Sequence, residues 1–197
     1  DVHMVDALRT GYAARGIVDD AIAFLEKERD RERPFFMYLG FPCPHDPRFS
    51  AREFRELYDP EKIPLPPNYE PVHRYDMGMM TIRDECLEAW PRTERAVRRH
   101  LHDYYSLISC MDHDIGRLLD TIDRLSLTDE TVIVFSSDQG IAIGSHGLPA
   151  VRRRAGHPGG GAHGGHGHGP AHVARIRRGL AAREHHGLHF AGALDRR

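Results

Sequence analysis

No apolar run in the 197 residues is long enough to span a bilayer, so no membrane partner is expected. Cysteine is scarce. Cys43, Cys86 and Cys110 are odd in number and widely spaced. They make no C-x-x-C pair and no disulfide framework, so they leave the compartment open. Lysine is scarcer still, at Lys27 and Lys62 only. The N-terminus has neither a secretory signal nor an initiating Met, and it reads as the middle of a helix-bearing region. The chain is therefore expected to start inside a larger protein.

Acidic residues are scarce at one end only. The formal net charge is −2, yet residues 1–148 carry about −9 and residues 149–197 about +7. Such an imbalance marks two kinds of sequence. The expected division is an α/β domain over residues 1–148 and a Gly/Arg/His-rich, low-complexity tail over 149–197, disordered or frame-shifted.

What the chain does have is a buried-strand pattern at Thr131–Phe135, T-V-I-V-F, which ends at Ser136, Ser137, Asp138, Gln139 and Gly140. In parallel α/β sheets, ligands bind beyond the carboxyl ends of the strands. Asp138 and Gln139 are two oxygen donors on adjacent residues, and hard cations take such ligands. The competing reading is that they only cap the next turn.

A second strand pattern, Phe35–Gly40, follows an amphipathic helix expected over Ile17–Arg31 and closed by Pro34. It runs into F-P-C-P-H-D-P, where three prolines forbid regular structure. Helices separate the two strands, so they are expected to lie parallel in one sheet. Parallel neighbours would bring His45 and Asp138 to a common edge. A lone loop His is commonly a surface residue or cap, but Pro44 and Pro47 would hold this one on a stiff frame. Cys43 reads as structural. Ser50 is expected to cap a helix over Ala51–Tyr58, and Asp59–Asp76 reads as a proline-rich surface excursion. From Thr93, the series Val97, Leu101, Tyr104, Ile108, Met111, Ile115, Leu118, Ile122 and Leu125 gives one apolar stripe. That predicts a long helix packed on the sheet. Asp112, His113 and Asp114 point in different directions on it and read as a solvated face.

Three motifs now stand in order: P-F-F-M-Y-L-G-F-P-C-P-H-D-P, Y-Y-S-L-I-S-C-M-D-H-D-I-G-R-L-L-D and V-I-V-F-S-S-D-Q-G-I-A-I-G-S-H-G-L. Over roughly residues 15–148 they resemble a sulfatase of the alkaline-phosphatase superfamily. The resemblance implies an α/β fold, a mainly parallel sheet flanked by helices. It also implies hydrolysis of a sulfate ester, small-molecule or carbohydrate, with a formylglycine nucleophile and a divalent cation, usually calcium. By position, Asp138 matches the metal-ligating aspartate, and Gln139 falls where the family has Asn or His. His45 matches a histidine at the sulfate group or leaving oxygen, and His146 one near the substrate, though a loop-stabilising role fits it equally. No nucleic-acid partner is implied.

Several family features are missing. No Cys or Ser starts a Cys/Ser-x-Pro-x-Arg nucleophile motif, and the paired aspartates of the other half-site are absent. Gly-Lys and Tyr-Glu are expected after Leu148, where the chain reads P-A-V-R-R-R-A-G-H-P. The tail fits a His-rich metal tract, an Arg-rich polyanion-binding arm or, best, translation in a shifted reading frame. The expected activity is that of a sulfatase fragment, inactive alone. The alternatives are a phosphodiesterase or phosphonate hydrolase of the same superfamily, and a non-catalytic metal-binding protein acting through the tail.

Overall fold

The computed structural model describes residues 13–75, 80–82, 85–137 and 140–148. These form two compact units. One holds the residues up to Leu57 together with Asp103–Thr131. The other holds Tyr58–His102 and the residues from Val132 onward.

In the first unit, helix α1 spans Ala13–Ala23. It buries Ala14, Val18, Ala21 and Leu25, the four-three spacing of a single helical face. It loosens into one π-helical turn, Phe24–Glu28. The end comes well before Pro34. Arg29 closes the turn by donating its backbone N–H to the Phe24 carbonyl at 2.9 Å and its Nε–H to the Leu25 carbonyl at 3.2 Å. Those carbonyls would otherwise be orphans of the helix end.

Helix α2 is a single turn, Arg52–Arg55, with Ala51 at its N-cap and no side-chain cap. Ser50 is therefore not the cap expected of it. It lies one residue too early, and its hydroxyl is buried without a partner among the described residues.

Helix α3 spans Glu94–Arg124 and bears out the long-helix expectation. Thr93 caps it by accepting from the Ala96 N–H at 3.2 Å. At its far end Leu127 donates to the Ile122 carbonyl and Ser126 to that of Asp123, with Ser126 at φ 59°. That is the paired-bond stop usually built on glycine, and the buried side chains of Leu127 and Ile122 reinforce it. The stretch of α3 up to His102 belongs to the second unit and the stretch from Asp103 to the first.

Three charge pairs tie α1 to α3: Arg15–Asp114, Asp19–Arg117 and Glu26–Arg124. Both residue numbers rise together, so the helices run in the same direction. Asp114 is fully buried, which corrects the solvated-face reading for that residue. Only its neighbour His113 is exposed. One carboxylate oxygen of Asp114 receives both Arg15 and Arg117, and charge pairing of that kind is what lets a carboxylate go inside.

The two strand patterns form no ladder. Among the described residues there is no strand, only an isolated antiparallel bridge between Tyr69 and Ser145. Residues 35–40 and 131–136 nevertheless alternate in exposure residue by residue, the period of an extended chain. Phe36 is 90% exposed, Tyr38 84%, Val132 72% and Val134 58%. A strand buried on both faces needs cover on both, and the described residues cover only one, where Phe35 packs on Phe24. The expected meeting of His45 with Asp138 concerns a residue, Asp138, that lies outside them. So do Gln139 and all of residues 149–197. Among the described residues no helix is long and apolar enough to cross a membrane.

Candidate functional site

His45 sits on a loop pinned to α3 at two points. Upstream, Cys43 is buried against Ala14, Leu107 and Met111. Burial pushes its thiol up to about 11, assisted by Cys110 and Asp114, so it is no nucleophile at neutral pH. This bears out the structural reading of Cys43. Downstream, the Arg48 side chain is 6% exposed, pairs with Asp46 at 2.8 Å and lies over the Tyr104 ring at 5.7 Å. Between these anchors the His45 N–H donates to the Pro42 carbonyl at 3.1 Å. Its ring Nδ1 lies 2.8 Å from the Asp46 carbonyl oxygen. A carbonyl only accepts, so Nδ1 carries the proton and Nε2 is the nitrogen left for a ligand. The ring is about a third exposed, so a ligand can reach it.

His146 belongs to the second unit and is held differently. Its loop has four positive φ angles in five residues: Ile143 at 27°, Gly144 at 86°, His146 at 54° and Gly147 at 73°. Such a path is strained for side chains other than glycine. Neighbours lock it in place. A Cβ on Gly144 would come within 2.5 Å of Val97 Cγ1, and one on Gly147 within 2.5 Å of the His73 nitrogen. The His146 N–H donates to the Asn68 carbonyl at 2.9 Å, and its own carbonyl accepts from His73 Nδ1 at 2.6 Å. The Asn68 side-chain Nδ2 lies 2.9 Å from His146 Nε2. The ring itself is exposed.

The segment that grips His146 is fixed in turn by Arg92. This residue is 1% exposed and stacks on Trp90 with its guanidinium 3.5 Å from the ring centroid. It donates to the Glu85 carbonyl at 2.6 Å and pairs with the Glu85 carboxylate at 3.4 Å. Its backbone N–H donates to Pro71 at 2.6 Å, and its carbonyl accepts from the Tyr69 hydroxyl at 2.5 Å. Trp90, 37% exposed, gives one face of its ring to this packing. The proline-rich excursion is a scaffold for the His146 loop.

Asn68, His73, Asp46 and Arg48 were not singled out from the sequence. Asp46 and Arg48 could have been, as charges flanking His45 within three residues. Asn68 and His73 lie more than seventy residues from their partner, and nothing local announces the pairing. Among the described residues no group of three or more His, Cys, Asp or Glu could hold a metal ion.

Comparison with known proteins agrees with the motifs. The chain is 34% identical over 141 residues to human iduronate 2-sulfatase, covering 66% of this chain and 26% of that protein. It is 33% identical over 142 residues to choline-sulfatase of Rhizobium meliloti, covering 66% and 28%. It is 32% identical over 144 residues to an ulvan-active sulfatase of Formosa agariphila, covering 73% and 24%. The chain thus spans about a quarter of the length of these relatives. The family model described as Sulfatase matches residues 6–177, well over half of the sequence, and on that match the chain belongs to the sulfatase family.

Proposed function

We propose that this chain is the central part of a sulfate-ester hydrolase, and that alone it does not turn substrate over. The observation that carries the reading is the His45 loop. Its Nδ1 is committed to the Asp46 carbonyl, which leaves Nε2 for the sulfate group or the leaving oxygen. Sulfuryl transfer builds negative charge on the oxygens around sulfur, and fixed donors stabilise it. The departing alkoxide needs a proton, which Nε2 can deliver once the ring is the imidazolium, with both nitrogens protonated and Nδ1–H still on the Asp46 carbonyl.

Asp138 and Gln139 would hold a divalent cation, calcium by the chemistry of the donors, since a carboxylate and an amide oxygen suit a hard ion. When bound, that ion supplies Lewis-acid stabilisation of the ester oxygens. Calcium takes about six to eight oxygens, so two donors are an incomplete shell. The remaining ligands and the formylglycine, made from Cys or Ser, would come from a longer polypeptide. The α/β fold the family implies, a mainly parallel sheet over residues 1–148, belongs to the same proposal. Exposed Phe36, Tyr38, Val132 and Val134 suit strands whose neighbours lie in the rest of that protein. Residues 149–197 would stand outside the folded domain, although the family match runs on into them as far as residue 177. The relatives are named for iduronate, choline and ulvan, so support reaches the sulfate ester and stops short of the alcohol.

A chimera tests the reading. Residues 15–148 replace the matching segment of choline-sulfatase, and sulfate release is measured with calcium present. Release that falls about a hundredfold in a His45→Ala chimera is expected. Equal release with and without His45, or a preference for phosphate esters, would overturn it. The purified chain, given an aryl sulfate and calcium, should release no sulfate above its own His45→Ala control.

A further inference from the structure

We propose that Asn68 is a positioning residue for His146. Its side-chain amide fixes the imidazole as the Nδ1–H tautomer and turns that N–H outward as a donor to an anionic oxygen. The inference rests on the sulfatase reading above only for the class of anion, a sulfate.

Asn68 holds His146 twice, through its main chain and through its side chain. The main-chain bond, Asn68 carbonyl to His146 N–H at 2.9 Å, together with His73 Nδ1 on the His146 carbonyl at 2.6 Å, already fixes the loop. The absence of room at Gly144 and Gly147 fixes it further. The second bond, Nδ2 to Nε2 at 2.9 Å, does nothing for the backbone. It orders an exposed ring and an amide, at a cost in rotamer freedom that an exposed side chain ordinarily avoids. Its effect falls on the ring alone. An amide N–H can donate only to an unprotonated ring nitrogen, so the ring proton sits on Nδ1. Nδ1 has no hydrogen-bond partner among the described residues, and the residue is exposed. His146 also holds φ 54°, a conformation that costs energy unless the surroundings impose it, and such residues cluster where a side chain must be aimed. A rigid loop, a ring locked in one tautomer and an unused outward N–H together describe a preset donor.

Two variants test this in the full chain. Asn68→Asp puts a carboxylate where the amide stood, which should pull the ring proton to Nε2. Asn68→Ala removes the side-chain hold. Both keep the main-chain carbonyl that receives the His146 N–H, and Trp90 fluorescence checks that the second unit stays folded. Nitrogen-15 NMR of the imidazoles, assigned by difference with His146→Gln, reads the tautomer. Titration with inorganic sulfate reads the anion.

The proposal expects Nδ1–H in the wild type, Nε2–H in Asn68→Asp, and sulfate shifting the His146 resonances with about tenfold weaker binding in Asn68→Asp. A His146 that keeps Nδ1–H in Asn68→Ala overturns it, whatever the sulfatase chimera does. Sulfate that leaves the wild-type His146 signals unmoved also overturns it. The choline-sulfatase chimera, judged on His45, would still stand in that case.

Discussion

The loop around His45 and the loop around His146 each orient an imidazole, but they draw on opposite sources. His45 uses its immediate neighbours: its ring bonds to the Asp46 carbonyl, with Cys43 and Arg48 as anchors on either side. His146 uses residues far away in sequence. Asn68 and His73 hold it directly, Val97 leaves no space for a side chain at Gly144, and Arg92 fixes the segment that carries Asn68 and His73. A locally framed histidine keeps its geometry as long as its own loop is docked. A remotely framed one inherits the stability of everything that frames it. Substitutions far from the two rings should therefore disturb them unequally.

The largest effect is expected from Arg92→Met. It removes the guanidinium from the fully buried Glu85 carboxylate and breaking a buried pair on one side costs about 3–5 kcal/mol. Urea unfolding followed by far-UV circular dichroism should show that loss. In the same protein the His146 tautomer should lose its fixed state, while the His45 ring signals stay in place. A variant that shifts both rings alike would erase the distinction.

Next comes a matched pair of glycine substitutions. Gly147→Ala forces a Cβ to 2.5 Å from the His73 nitrogen at φ 73°, and should destabilise the second unit by about 2–3 kcal/mol. Gly40→Ala, just ahead of the His45 loop, meets only Tyr38 Cε1 at 3.5 Å, an ordinary contact. Its effect should stay within about 1 kcal/mol and can be favourable through the unfolded chain. Trp90, the single tryptophan, lies in the second unit, so its fluorescence reports the first of these directly.

The same asymmetry explains what could be read from the sequence. The α3 stripe and the helix start at Thr93 are local patterns, and both are seen in the structure. The C-terminal end of the first helix departs from the proline signal because Arg29 bonds onto its last turn; α2 departs from the serine signal because its N-cap is Ala51, with no side-chain bond at all. The run Asp112, His113 and Asp114 reads as a solvated face because adjacent helical residues diverge, yet two arginines carry Asp114 inside. The grip of Asn68 and His73 on His146 had no local signature. The two apolar runs have strand composition and an extended alternation of exposure, but composition cannot supply the neighbouring strands that make a sheet.

A smaller effect is expected from Cys43, and it has a sign. Its thiol pKa rises from 9.0 unfolded to about 11 folded, so between those values the folded state holds a proton that the unfolded state has lost. Stability should then fall as pH rises from about 9 to 11, by on the order of 1–2 kcal/mol. Below pH 9 both states are protonated and the term is flat. Urea midpoints measured from pH 8 to 11 should slope downward in the wild type and lose that component in Cys43→Ala. A slope unchanged by the substitution would assign it to other groups and free the His45 loop from this anchor.

The smallest effect on folding should come from His45→Ala. The ring bonds only to the carbonyl of the next residue and is about a third exposed, so its removal strands no buried partner. Stability should change by no more than about 0.5 kcal/mol, read as an unshifted urea midpoint. The loop stays docked because Cys43 and Arg48, not the imidazole, attach it to α3. A loss above about 1 kcal/mol would show that the ring braces the loop, and the hundredfold fall expected in the chimera would then report folding as well as chemistry. An unshifted midpoint leaves that fall to the imidazole alone, which is the condition for reading His45 as the group that meets the ester.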